Sequence, residues 1–183
     1  MQERDHRRKK KVNLEQAKCL ASPARMELLD ALGMLREGSA QDLAGITGLS
    51  VNTIHYHLDK LTEAGLVCGA GQRPTATKGE SLFKLKHERM GFNLKEKSIE
   101  YLKAKAKAIR QTLKLATKES DLSLHSEHGM NGAVHLRVSV KLSRKDLAEL
   151  RSRFVDVAQW ARTRHDSEGE PVSITALTVL KAP

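Results

Sequence analysis

Aromatic residues are scarce, with three Phe, two Tyr and one Trp in 183 residues, or 3% of the chain. Hydrophobic residues still reach 39% and mean hydropathy is -0.47. A core can form, but a thin one, which favours helices that complete their packing by dimerising. Cysteine is as sparse. Cys19 and Cys68 lie far apart and form no Cys-x-x-Cys pair, so no disulfide framework is expected and a reducing cytosol fits. No window approaches 18 apolar residues, so no membrane span is expected. The basic N-terminus has no apolar run behind it, which speaks against a signal peptide. G-x-S-x-G, P-loop, H-E-x-x-H and paired-carboxylate patterns are missing too, so neither catalysis nor a cofactor is expected.

What is abundant is positive charge. Lys and Arg number 32 against 22 acids, a net charge of +10 and a pI near 9.8. That balance selects polyanions: DNA, RNA or an anionic membrane surface. Six cations crowd into "MQERDHRRKKK" against two acids, and residues 1–12 read as a basic, flexible arm.

Residues 13–90 read as a winged helix-turn-helix. In "ASPARMELLDALGMLREG", Ser22 caps a helix, Pro23 takes its first position and Glu27 its first turn. Leu28, Leu29, Leu32 and Leu35 form its stripe, and Gly38 stops it. Ser39 and Asp42 then make a capping pattern for a short helix carrying Leu43 and Ala44. "GITGL", with Gly45 and Gly48, is a tight connection. Ser50 caps a second helix, with Ile54, Leu58 and Leu61 on one face and Gly65 at its end. Two short helices around a Gly-containing turn form a helix-turn-helix pattern. Leu66–Ala70 and Ser81–Lys86 follow as a hairpin, the wing, with the tip "GQRPTATKGE".

Residues 91–118 read as a long dimerisation helix. Ile99, Leu102, Ala106, Ile109, Leu113 and Ala116 are spaced 3-4-3-4-3, a seam for helix pairing. Eight cations against two Glu decorate residues 92–118, as a solvated face or as an extension of positive field towards DNA. Residues 119–132 form a polar linker. His125 and His128 in it have a helical metal spacing, but Gly129 and Gly132 argue for a loop, and no metal site is expected. Residues 133–183 read as strand, helix, strand. Residues 134–142 alternate strictly, and Ser143 and Asp146 cap a helix with Leu147, Leu150, Phe154, Val157 and Ala161, beside Trp160. "GEP" breaks the chain, and 172–180 is β-branched. Two strands and one helix make a poor independent core. A second copy completing a four-stranded sheet is therefore expected, with room for a small-molecule effector. The fold class is α+β.

"VNTIHYHLDKL" poses the functional question. His55 and His57 suit a metal if the segment is a strand. On a helix they point about 200° apart and cannot share an ion. Ile54, Leu58 and Leu61 decide for helix. Short polar groups near the N-terminus of a recognition helix reach base edges. Ser50, Asn52, Thr53, His55 and Tyr56 supply them, with Lys60 placed for phosphate and Asp59 and Glu63 off the contact path. The wing adds Arg73, Thr75, Thr77 and Lys78, with Pro74 stiffening the tip. Arg73 suits a minor groove or a phosphate.

These residues resemble the ArsR-like winged-helix regulators of prokaryotes. The likeness rests on "S-P-x-R" at Ser22–Arg25, "HL-x-x-L-x-x-A-G-L-V" at His57–Val67 and the following hairpin, and covers about residues 14–87. It implies a homodimeric DNA-binding regulator, a repressor by default, in the cytoplasm on the nucleoid. It also implies that His57, just before the leucine, packs or meets backbone. Metal-sensing members carry a Cys-x-Cys motif before recognition; "SAQDLAGITGL" has no cysteine. The expected partner is double-stranded DNA, read by 50–64 with the wing 70–81 on flanking DNA. The alternatives are a small-molecule- or metal-responsive sensor controlled by the C-terminal unit, and RNA or ribosome binding.

Overall fold

The computed structural model describes residues 10–75, 79–87, 90–123, 140–166, 169 and 172–176. The chain divides into two units, residues 1–115 and 116–183. The fold mixes helices with small sheets, as the α+β reading expects.

Local capping sets most boundaries of the first unit. α1 (Leu14–Cys19) opens with a capping box: Asn13 Oδ1 accepts from the Gln16 N–H at 2.9 Å, and Gln16 Oε1 from the Asn13 N–H at 3.2 Å. α2 (Pro23–Leu35) starts at the expected proline, though the Ser22 side chain makes no capping bond and Glu27 lies beyond the first turn. Gly38 does not end this helix. Arg36 does, at a positive φ of 66°. Gly38 instead sits in β2 (Glu37–Ser39), where a Cβ would come within 2.8 Å of Leu35 Cδ1. A side chain at 38 would therefore make the exposed Leu35 side chain shift.

α3 (Ala40–Thr47) carries the expected box: Ser39 Oγ accepts from the Asp42 N–H, and Asp42 Oδ2 from the Ser39 N–H at 2.9 Å. It runs through Gly45, so the turn shrinks to Gly48–Ser50, with Gly48 at φ 70°. α4 (Val51–Glu63) starts at Ser50 and is followed by Gly65 at φ 65°. Leu28, Leu32, Leu43, Ile54, Leu58, Leu61 and Leu66 are all fully buried in one cluster. Each such side chain contributes about 1.5–3 kcal/mol.

β3 (Val67–Arg73) and β4 (Glu80–Leu85) form an antiparallel hairpin, and β2 adds to the other edge of β4. The first strand runs three residues past its expected end at Ala70. Gly69 faces Phe83 and Gly71 faces Leu82, so Ala70 is the extra residue of a bulge. Gly71 has φ 113°, a backbone open to glycine. Such a bulge bends and twists the strand, and so re-aims the hairpin tip.

Two short strands enclose this domain. Lys10–Val12, expected as the end of an arm, is β1 and pairs in parallel with β5 (Met90–Phe92). A non-local pairing of three residues a strand carries no local signal. Val12, Ala17, Tyr101 and Ala104 form a second buried cluster there. The Tyr101 hydroxyl donates to the Val12 carbonyl at 2.8 Å and accepts from the Asn93 N–H at 2.8 Å.

Tyr101 belongs to α5 (Ile99–Ser123), which continues past residue 118 into the stretch expected as linker. Its buried residues are Tyr101, Ala104, Ala108 and Leu115. The expected pairing seam is turned roughly 140° from that face at 100° a residue. Ile99, Leu102 and Leu113 on it are 72%, 46% and 40% exposed.

The second unit contains α6 (Arg144–Thr163), capped by Ser143, whose Oγ accepts from the Asp146 N–H at 3.1 Å. None of its residues is fully buried, and Phe154 and Val157 are exposed. Of the flanking strands expected at 134–142 and 172–180, the described residues 140–142 and 172–176 carry no strand. The remainder of each, like His125 and His128, lies outside the described residues.

Replacing Tyr101 by Phe leaves the Val12 carbonyl and the Asn93 N–H without that partner. The expected cost is roughly 1–3 kcal/mol for the buried groups left unsatisfied. Urea unfolding of the variant checks it, as a lower midpoint at unchanged slope.

Candidate nucleic-acid interface

α4 owes its orientation to Ile54, Leu58 and Leu61, which are buried to 0% exposure. At 100° a residue, Asn52, Tyr56, Asp59 and Glu63 lie on the opposite side. All four are exposed, Tyr56 to 58%. His55 is exposed on one flank and His57 half-buried on another.

The ends of the helix are held differently. At the start, Ser50 Oγ accepts from the Thr53 N–H at 3.2 Å and lies 2.8 Å from Thr53 Oγ1. Both hydroxyls are thus engaged with each other and the cap. At the far end, Gln16 donates from Nε2 to the Ala64 carbonyl at 3.0 Å, and the Cys19 thiol to the Lys60 carbonyl at 3.7 Å. α1 therefore anchors the C-terminal end of α4, and burial pushes the Cys19 thiol above its ordinary pKa. Sequence reading passed over these anchors. The Asn13-x-x-Gln16 spacing was the available signal.

The remaining candidates divide clearly. Lys60 Nζ is 2.8 Å from Glu63 Oε2, an exposed pair that holds the ammonium above its ordinary pKa. A phosphate must compete for it, at little cost because exposed pairs contribute little. Arg73, expected on DNA, lies at the end of β3, with Nη2 2.9 Å from Asp42 Oδ2 and 2.7 Å from Glu80 Oε2. Its guanidinium clasps the tip end of the hairpin ladder to the capping box of α3. The Ser39 N–H and then Arg73 hold the Asp42 carboxyl below the usual range, and Arg73 does the same for Glu80. Thr75 is exposed at the tip, while Thr77 and Lys78 lie outside the described residues.

His57 meets Tyr56 edge-on at 5.1 Å between ring centroids, and its Nδ1 is buried with no hydrogen-bond partner. Burial and the positive charge of Arg25 lower its pKa. The imidazole therefore packs neutral on the side of α4 that turns inward, while His55 faces solvent.

Residues 20–67 match a family model described as a helix-turn-helix domain. The match spans α2, α3 and α4, and supports a helix-turn-helix DNA-binding regulator of transcription. No curated protein matches the chain. Among the described residues no helix is long and apolar enough to cross a membrane.

Acid should act on this assembly in two stages. The His57 pKa is lowered on folding, so the unfolded chain binds the proton first. The stability is complete above the ordinary imidazole value of about 6.5 and is lost as pH falls through the lower folded value. Asp42 and Glu80 are lowered carboxylates, so their share persists further, is complete above about pH 4.5 and is lost below it. Melting temperature against pH checks both stages: His57→Gln should flatten the upper one and Arg73→Gln the lower one.

Proposed function

We propose that this protein is a homodimeric, ArsR-like winged-helix repressor acting in the cytoplasm, on the nucleoid. The observation that carries the reading is the outward face of α4. Asn52, His55 and Tyr56 stand exposed on a helix whose other side is wholly buried within a helix-turn-helix match. Asn pairs in a bidentate way with adenine in the major groove, and small polar groups at the helix start touch adjacent edges or phosphate. Asp59 and Glu63 follow on the same side further along α4 and are placed off the phosphate path, with Lys60 as the phosphate contact of that half. The hairpin acts as the wing, with Thr75, Thr77 and Lys78 on flanking DNA and Arg73 fixing the strand ends just before the tip. No catalytic role is assigned.

Dimerisation is supported by the apolar seam of α5, which its own domain leaves exposed at Ile99, Leu102 and Leu113. Pairing along it would set two copies of α4 against half-sites one helical turn, or a multiple, apart. Residues 133–183 are proposed as a further dimerisation unit, which Phe154 and Val157 on α6 would serve.

Selection of bound fragments from random duplex DNA tests the reading, and should return a two-fold symmetric site. On that site Asn52→Ala and Tyr56→Ala should each weaken binding by about 1–3 kcal/mol, or roughly 5- to 150-fold. Leu102→Asp with Leu113→Asp should convert the dimer to a monomer in sedimentation. Duplex binding unaffected by either α4 change sinks the reading.

A further inference from the structure

Between Tyr101 and Lys118 the chain has no acidic residue. The cations of α5 in that span fall into order on a helix. Lys103, Lys107, Arg110 and Lys114 follow at intervals of four, three and four, which is one face. All four are exposed. Two other lysines are set apart from them: Lys105 is half-buried with Nζ 5.9 Å from the Phe92 ring centroid, and Lys18 of α1 takes up Glu100 at 2.7 Å. α5 is thus three-sided. Its buried face, its apolar seam and its cationic stripe are separated from one another by roughly 100–140°.

We infer that the stripe is a second contact surface for duplex DNA, binding the sugar–phosphate backbone and not the bases. The inference rests on the DNA-binding function proposed above. From Lys103 to Lys114 is about 17 Å at 1.5 Å a residue. One strand of a duplex places a phosphate every ~3.4 Å along its axis. The span from Lys103 to Lys114 is about half a helical turn of duplex, over which a strand passes to the far side, so the four cations reach a few phosphates flanking a groove and not a continuous run of one strand. Among polyanions, a duplex fits better than a membrane surface. Once the seam is covered by a second copy, the stripe has charge but no apolar residue to insert, whereas surface-bound helices need both. Neutralising phosphates releases condensed counterions, so this contact adds affinity on any sequence and steepens the salt dependence.

The test compares the full chain with K103Q/K107Q/R110Q/K114Q and with the charge-preserving K103R/K107R/R110K/K114R. Binding is measured from about 50 to 200 mM salt on the selected duplex and on a scrambled one. Each lost phosphate contact lowers the slope of log affinity against log salt by about 0.9. The glutamine variant should lose roughly 2–4 from the slope for each chain bound, with equal proportional loss on both duplexes. The charge-preserving variant should match wild type. A slope unchanged in the glutamine variant, while Asn52→Ala still weakens binding, overturns the inference and leaves the proposed function standing. Equal losses in both stripe variants overturn it as well, because helix integrity and not charge is then at stake. An unchanged slope with lost capture on vesicles of anionic phospholipid overturns it in favour of a membrane surface. Wild type that binds no duplex removes the proposed function and the stripe's role together.

Discussion

Ile54, Leu58 and Leu61 lie fully buried in one cluster with Leu28, Leu32 and Leu43, and that burial determines which side of α4 meets solvent. An α-helix offers a limited circumference, and three leucine-like side chains at i, i+4 and i+7 fix its rotation. The whole outward surface of α4 follows from this one angle. Asn52 and Tyr56 are outward because those three are inward. A rotation by a single residue, about 100°, would bring different side chains to the surface. The close packing of a protein interior resists such a rotation.

The parts legible in the sequence are those specified locally. Ser39 with Asp42, and Ser50 before a 3.6-residue stripe, each state a helix start within four residues. Their positions in the fold are as read. The parts that were hidden depend on distant partners or on weak signals. β1 and β5 have three residues each, too few for alternation to register. α1 has six residues, too short for periodicity. The face by which α5 packs on its own domain is mostly alanine, at Ala104 and Ala108, with the large Tyr101. The stronger apolar seam, on another side of the helix, dominates its periodicity.

The same division applies to the interface. The outward set on α4 was readable because exclusion from the core defines it. What was unreadable is how far each polar group is already engaged. Ser50 and Thr53 bond to each other, Lys60 to Glu63, and Arg73 to two carboxylates. Arg73 and Asp42 are 31 residues apart, and nothing local announces the pairing. Charge in a sequence is a property of residues, whereas charge available to a ligand is a property of the fold.

The parallel pair β1–β5 has a consequence for how the chain acquires its structure. The Tyr101 hydroxyl reaches back 89 residues to the Val12 carbonyl, whereas the contacts among α2, α3 and α4 are made between sequence neighbours. Closing the longer loop costs more chain entropy, and non-local pairing slows folding. During synthesis, which proceeds from the N-terminus, residues 20–67 have the buried side chains of their own cluster before Phe83, Leu85 and Met90, which pack against it, or Tyr101 exists. The helix-turn-helix can therefore assemble first, while Val12 waits for its strand partner and for the tyrosine. The order of assembly sets the outward surface of α4 first and the base of α5 last, so a chain interrupted between residues 67 and 90 would carry that helix without the strand and the tyrosine that hold Val12.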